Sequence, residues 1–389
     1  MIHYDTRKIK PSDTFIAIDK GANHIDQELL NKTSRIIKLS KTEVFTYLSR
    51  YWKLDMSKIK IIGVTGTNGK TTVTYLVKQI LESCGKKCQI IGTITNSLTT
   101  PELFDILKLI KEMIEREEEY LVMEVSSIGV EEKRIYGLPF KVKCLTNITR
   151  DHLDYHKTFK NYISSKFKFL QLPGATIYPR DYKKIKIDFP LSLQGKFNVY
   201  NSQAAYAICK ELGLPEEKIR QALSTSQPPK GRFQPASKQL PFQVFVDFAH
   251  TPDGLDNILK TARSLTKKRL ITVFGAGGNR DNTKRPLMGK AACQYSDFVI
   301  VTSDNPRHEK PADIIKDILG GITTSNYKVI EDREQAIKEA VFMAQVDDIV
   351  VVAGKGHEDY QIIGDTKHHF DDFEVIGKYL KQRFPDVLH

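Results

Sequence analysis

Apolar positions along this chain follow two rhythms. Short β-branched runs (Ile59, Ile61, Ile62 and Val64, then QIIGTI at 89–94, YLVMEVSS at 120–127 and VKCLTNI at 142–148) alternate with stretches that turn apolar every third or fourth residue, as in 73–85 and 103–119. The first rhythm predicts buried strands and the second amphipathic helices, and their alternation predicts an α/β fold with a parallel sheet covered on both faces. A proline- and glycine-rich break, SQPPKGRF at 226–233, interrupts the pattern and is the clearest boundary in the chain. Beyond it the alternation restarts, with strands expected at 242–250, 269–278, 297–304, 327–332 and 348–356 and helices at 254–265, 285–295, 312–319 and 334–345. That order suits a second sheet of the dinucleotide-binding kind. Ahead of residue 58, FIAI at 15–18 and RIIKL at 35–39 read as strands and 42–52 as a helix. So short a segment builds only a marginal core and is expected to pack on the neighbouring domain. The expected division is 1–57, 58–229 and 230–389.

Composition narrows the class. The chain has 389 residues, 40% hydrophobic and 27% charged, enough for two or three packed domains and without a sign of disorder. MIHYDTRKIK has no apolar core of the signal-peptide kind, and no later apolar run approaches membrane-spanning length, so the cytoplasm is the expectation. The five cysteines are scattered and odd in number, without a paired C-x-x-C, which points to reduced thiols and no structural metal. A net charge of +12 raises nucleic acid as a partner. The basic residues are interleaved with acids, as in EEKR and KEMIEREEE, and form no basic tail or basic–aromatic platform. An anionic small substrate or a lysine-rich proteome accounts for the charge as well.

The chemistry concentrates at KIKIIGVTGTNGKTTVTY, residues 58–75, which reads as a strand, a glycine-rich turn and a helix start. Gly66, Thr67, Asn68 and Gly69 would turn backbone N–H groups toward phosphates, and the helix from Lys70 would add its positive end. Lys70 would reach the outer phosphates, Thr71 would place a hydroxyl on Mg²⁺, and Thr72 comes next in the same turn. The usual G-x-x-x-x-G-K-[ST] spacing is altered, since Val64 stands where its first glycine belongs. Glu124, Asn147, Asp151 and His152 close later strands, the edge at which open α/β sheets gather ligands. GAGGNRD invites a nicotinamide-site reading, but its third glycine is missing.

Together the motifs resemble the Mur ligase family, and within it the MurE-type enzymes that add the third residue to the peptidoglycan stem peptide. The matching stretches run from Tyr4 onward: TGTNGKTT, TTP, EVSS, TNITRDHLDYH, YISSKFKF, KFNVYN, GRF, VDFAHTPDGL, FGAGGNRDNTKRPLMG, SDNPRHEKP and GKGHEDYQ. The resemblance implies an abbreviated N-terminal substrate domain (1–57), a central ATP-binding domain (58–229) and a C-terminal Rossmann-like domain (230–389). It implies an ATP-dependent amide ligase that joins meso-diaminopimelate to UDP-N-acetylmuramoyl-L-alanyl-D-glutamate through an acyl phosphate, with ATP and Mg²⁺ as cofactors. The partners it implies are those small molecules, with no nucleic acid and no membrane span, and a monomeric chain.

Residue by residue, the resemblance implies Lys70, Glu124, His152 and Lys166 as catalytic positions. Thr71 and Glu124 would ligate Mg²⁺, and His152 would hold a second ion with a carbamylated Lys166. Read without the resemblance, Lys166 is a solvated helix lysine. Asn198 and His250 match positions near adenine and ribose, while His250 fits equally a core histidine closing a strand. Thr99, Thr100, Ser126 and Arg134 match contacts to the acceptor. Arg280, Asp304, Asn305, Pro306, Arg307, Gly354 and Glu358 match the amino-acid site, where the Arg307 guanidinium would grip a distal carboxylate in bidentate fashion. The plainer reading of DNPR is a turn with an exposed arginine. The chain departs from the family at three places: few residues precede the ATPase strand, Ile128 succeeds EVSS in place of histidine, and Glu132 adds a negative charge that calls for a cation such as Arg134. Three other readings stand beside this one: a family ligase on a pseudomurein or polyglutamate-type carboxylate, a non-catalytic nucleotide-binding partner, and a kinase that stops at phosphoryl transfer.

Overall fold

The computed structural model describes residues 2–4, 13–18, 33, 35–236 and 240–385. Three parallel strands, β1 (Ile2–His3), β2 (Thr14–Ile18) and β3 (Arg35–Leu39), form the first sheet. The family-like opening between Tyr4 and Asp13 lies outside the described residues. Ile16, Val44 and Leu48 join the same apolar cluster as Ile61, Phe104 and Leu121, so this segment shares its core with the next sheet. Trp52 and Tyr4 both pack their rings on Phe104, with centroids 5.4 and 4.8 Å away. A core too small to stand alone is completed this way.

The second sheet contains β4 (Lys60–Thr65), β5 (Cys88–Ile91), β6 (Tyr120–Glu124), β7 (Phe140–Leu145) and β8 (Ala175–Ile177), all parallel in the order β5-β6-β4-β7-β8. Helices Lys70–Ser83, Lys196–Glu211 and Glu216–Thr225 bury one face, and Leu103–Glu115 with Phe159–Leu170 bury the other. Three strands end earlier than their apolar runs, β7 at Leu145. At β5, Gly92 N–H donates to Thr95 Oγ1 (3.0 Å) and Thr93 N–H to Glu124 Oε1 (3.0 Å), which takes the backbone out of the ladder. After β6, Ser126 accepts from Gly129 N–H (3.0 Å) and caps the helix Ser127–Glu131. Helix Lys196–Glu211 buries Asn198, Asn201, Ser202 and Gln203 along with its alanines, so apolar periodicity alone did not reveal it.

The third sheet contains β9 (Gln234–Pro235), β10 (Gln243–Asp247), β11 (Leu270–Phe274), β12 (Phe298–Val301), β13 (Tyr327–Val329) and β14 (Ile349–Ala353). Their order is β13-β12-β11-β14-β10-β9, parallel except for β9 at the edge. Helices Pro252–Leu265, Arg285–Tyr295 and Pro311–Leu319 cover one face; Arg333–Met343 and Asp372–Arg383 cover the other. A hairpin, β15 (Tyr360–Ile363) with β16 (Thr366–His369), stands beyond β14 and was not foreseen from the sequence. Among the described residues no helix is long and apolar enough to cross a membrane.

Candidate active site

The carboxyl ends of the second and third sheets face one another across a cleft of about 940 Å³. At one end of it β4 leads through the glycine turn into helix Lys70–Ser83. Gly66 sits at φ 149°, and a Cβ there would lie 1.8 Å from Thr146 Oγ1, so the close approach of the two loops requires glycine. Asn147 fixes the loop by accepting from Thr67 N–H through its carbonyl (2.9 Å) and from Asn68 N–H through Oδ1 (3.0 Å). Gly69 begins the helix without a side-chain cap, which leaves the first-turn N–H groups for an anion. Lys70 Nζ donates to the carbonyls of Gly66 (2.9 Å) and Thr67 (2.8 Å). Burial lowers its pKa, against the pull of Glu124 and Asp151.

Thr71 Oγ1 donates to Glu124 Oε1 (2.9 Å), and Thr93 holds the carboxylate through its N–H (3.0 Å) and Oγ1 (3.1 Å). Both Thr71 and Glu124 are buried, and together they offer the hard oxygen donors that suit Mg²⁺. Among the described residues no three His, Cys, Asp or Glu side chains are grouped to hold a metal. A Mg²⁺ site here would therefore be completed by phosphate oxygens and water, as this ion commonly requires. His152 lies beside Asp151 (Nε2 to Oδ2 3.4 Å). Burial raises the Asp151 pKa, but His152, His250 and Lys284 outweigh it and hold the value at about 2.

Lys166 is not the solvated lysine that composition favours: it is 1% exposed. Its Nζ donates to the Gly66 carbonyl (2.9 Å), the same oxygen that Lys70 uses, and lies 4.5 Å from the Tyr162 ring centroid. Burial, and then the neighbouring Lys70 charge, push its pKa well down. His250 lines the cleft with Nδ1 against the Phe248 carbonyl (2.9 Å), so that nitrogen carries the proton. Burial lowers its pKa to about 4. Asn198 stands behind the wall, donating to Gln194 O (2.8 Å) and accepting from Asn201 Nδ2 (3.1 Å), while Phe197, Tyr200 and Asn201 line the cleft itself.

The opposite end is built by the loops after β11, β12 and β14. Arg280, Asp304, Asn305, Arg307, Gly354 and Glu358 all line it. Arg307 Nη1 donates to the Gly278 carbonyl (2.7 Å), and its N–H to Ile362 O (3.0 Å). Burial lowers its pKa, and the Arg280 charge adds to the shift. Asn305 Nδ2 donates to Glu358 Oε2 (2.9 Å) and Oδ1 accepts from Ile362 N–H (2.8 Å). Burial and the Asp304 charge raise the Glu358 pKa. Gly354, at φ 118°, leaves Asp304 its place, since a Cβ would lie 2.4 Å from Oδ2. The GAGGNRD glycines serve this end: a Cβ on Gly278 would meet the Pro306 carbonyl at 1.9 Å.

Of the four residues matched to the acceptor, Thr99 lines the cleft, within 3.2 Å of Thr93 Oγ1. Thr100 is buried and donates to the Glu124 carbonyl (3.0 Å) and to Ser126 Oγ (3.1 Å). Arg134 donates to Thr100 O (3.1 Å) and Glu132 Oε2 (3.1 Å); its Nε lies 2.9 Å from Glu102 Oε1, an ion pair without hydrogen-bond alignment. Glu132 thus has the cation it calls for.

Other lining residues gained no role from the sequence, although each lies in one of its matching motifs. Arg232, of GRF, donates to Thr71 Oγ1 (3.0 Å) from the far side of the cleft and stacks over Phe248, 4.4 Å from its centroid. His357, of GKGHEDY, reaches the Thr93 carbonyl (3.2 Å), and Asp253 accepts from Asn68 Nδ2 (2.8 Å). Their partners lie far away in sequence, which spacing within one motif cannot reveal.

Comparison with known proteins bears on this geometry. The Mur ligase middle domain matches residues 64–184, and the Mur ligase glutamate ligase domain matches residues 231–356. A protein of Clostridium botulinum, UDP-N-acetylmuramoyl-L-alanyl-D-glutamate--2,6-diaminopimelate ligase, is 41% identical across 98% of this chain and 95% of its own length. The chain belongs to the Mur ligase family. Its members are ATP-dependent amide ligases. A Clostridium perfringens ligase of the same name is 38% identical over 98% of this chain and 94% of its own. The Clostridium botulinum alignment runs over 458 positions, more than the 389 residues here, so that relative carries internal residues this chain lacks. A solved structure of a ligase with that name superimposes with a TM-score of 0.63 at 28% identity, covering 98% of this chain and 94% of the other. MurF ligase from Thermotoga maritima in complex with ADP, at 15% identity and a TM-score of 0.67 over 99% and 97% of the chains, shares the fold.

Proposed function

We propose that this ligase uses ATP to join meso-diaminopimelate to the glutamate carboxylate of UDP-N-acetylmuramoyl-L-alanyl-D-glutamate, acting in the cytoplasm as a monomer. The observation that carries the reading is the charge pattern in one cleft: Arg280 and Arg307 near Asp304 and Glu358 at one end, the glycine turn with Lys70 at the other. Diaminopimelate carries an ammonium and a carboxylate at each end, and such a pattern can hold both kinds of group. Residues 1–57, 58–229 and 230–389 would act as the acceptor, ATP and amino-acid domains.

A carboxylate forms no amide at neutral pH without activation. In this reading its oxygen attacks the γ-phosphorus of ATP, ADP leaves, and the amine attacks the acyl phosphate through a tetrahedral intermediate that expels phosphate as the amine sheds its proton. The chain's task is positioning and charge neutralisation. Gly66 to Gly69 and the helix start hold the phosphates, Lys70 neutralises the outer one, and Arg232 adds a second cation from the far wall, through its place beside Thr71. Thr71 and Glu124 would hold Mg²⁺, which when bound draws charge from the phosphate oxygens. His250, Asn201, Phe197 and Tyr200 would frame the nucleoside, with Asn198 acting from behind through its hold on Asn201. Lys166, whose pKa burial pushes well down, is suited to take up CO₂: its neutral amine nitrogen bonds the carbon, a proton leaves, and a carbamate results near His152.

One observation favours a second reading, a ligase of this fold on another carboxylate. The residues missing relative to the Clostridium botulinum protein remove surface that a large acceptor can use. Phosphate release measured with each substrate withheld in turn tests both readings. We expect release only with acceptor, diaminopimelate and ATP together; release without the UDP-linked acceptor, or none with all three, contradicts the proposal.

A further inference from the structure

Two arginine–aspartate pairs brace the third sheet at opposite ends. At the amino ends of its strands, Arg269 and Asp348 pair just ahead of β11 and β14 (Nη2 to Oδ2 2.7 Å), with Arg269 37% exposed. At the carboxyl ends, Arg333 and Asp372 pair with both side chains 0% exposed, Nε to Oδ1 and Nη2 to Oδ2 each 2.8 Å. Burying two charges is costly unless every donor is used. Two more of the guanidinium's five donors go to carbonyls, Ala353 O (3.1 Å from Nη2) and Ser303 O (3.5 Å from Nη1). Those carbonyls immediately precede Gly354 and Asp304, which line the amino-acid end of the cleft.

We propose that the Arg333–Asp372 pair is a positioning device for the amino-acid substrate: it ties Ser303, two residues past β12, and Ala353, the last residue of β14, to one rigid fork and thereby sets the separation of the Asp304 and Gly354 loops. Resting on the functional reading above, this adds two residues that touch no substrate yet govern its affinity. A planar fork can hold two carbonyls and a carboxylate at once, whereas an ammonium in its place cannot keep that geometry. Supporting side chains behind a binding site act on affinity in this way because they fix the loops that carry it, and here one guanidinium joins two loops whose other anchors, Glu331 O for Ser303 N–H and Asp247 O for Gly354 N–H, do not link them.

The test is steady-state phosphate release by the intact chain, Arg333→Lys, the double variant Arg333→Met/Asp372→Leu, and Arg269→Met, with thermal unfolding of each. The double variant leaves no unpaired buried charge and so guards against loss of folding. We expect KM for diaminopimelate to rise about tenfold in Arg333→Lys and in the double variant, with KM for ATP within about twofold of the intact chain. Arg269→Met should lower the unfolding temperature and leave every KM in place. An unshifted KM for diaminopimelate in folded Arg333 variants, or equal rises for all substrates, overturns the inference alone. Failure of the intact chain to use diaminopimelate overturns the functional reading and this inference with it.

Discussion

The two ends of the cleft are built on the same principle and by different means. Both lie at the carboxyl ends of parallel strands, where loops are free to carry polar groups. The phosphate end is mostly one contiguous stretch, Gly66 to Thr72, whose turn and helix start form a site from backbone geometry. The amino-acid end is assembled from three separate loops around Arg280, Asp304 to Arg307, and Gly354 to Glu358, each held by the others. A site made of backbone tolerates little variation in sequence but little can misplace it. A site assembled from distant side chains is easily retuned and depends on what braces it.

Breaking the phosphate end should give the larger effect. Lys70→Ala removes the cation at the transferring phosphate and should cut phosphate release by about a thousandfold while the unfolding temperature stays near that of the intact chain. Retention of more than a tenth of the activity would mean that Arg232 already supplies the charge. At the other end Arg307→Lys keeps the charge and loses the fork, so KM for diaminopimelate should rise by about fiftyfold with KM for ATP unchanged. Equal effects on both constants would show the two ends to be one site.

A smaller effect sharpens the contrast, because the proposed carbamate on Lys166 would make the phosphate end depend on a chemical modification. Its amine has a pKa lowered by burial and by Lys70, so the neutral, CO₂-reactive form is available nearer neutral pH than for an exposed lysine. As pH falls, protonation of that amine removes the nucleophile. Removal of CO₂ and bicarbonate should therefore lower activity about tenfold, with recovery on adding bicarbonate back, and the CO₂ concentration that restores half the activity should be higher at pH 6 than at pH 8. Activity indifferent to bicarbonate at both pH values would leave Lys166 as a plain buried cation.

The same contrast explains what the sequence disclosed. The parallel sheets and most helices were legible because apolar rhythm reports burial directly, and the glycine turn because its residues adjoin. Lys166 was legible only by resemblance: its neighbours Gly66 and Tyr162 come from different elements, and nothing local marks a lysine as buried. Arg232 and His357 reach their partners across the cleft, and Arg333 meets Asp372 from another helix, so only the fold brings them together. Helix Lys196–Glu211 escaped apolar counting because its inward face carries amides, among them Asn201 at the cleft and Asn198 behind it.

The central claim is the pairing of this acceptor with this amine, and the mass of the product tests it most directly. The chain would be incubated with ATP, Mg²⁺ and UDP-N-acetylmuramoyl-L-alanyl-D-glutamate, with meso-diaminopimelate or L-lysine as amine. The account predicts a product heavier by one diaminopimelate less water, with ADP and phosphate formed in equal amounts, and little product with lysine, which lacks the carboxylate for Arg307. A lysine adduct formed as readily, or no adduct with either amine, would contradict it.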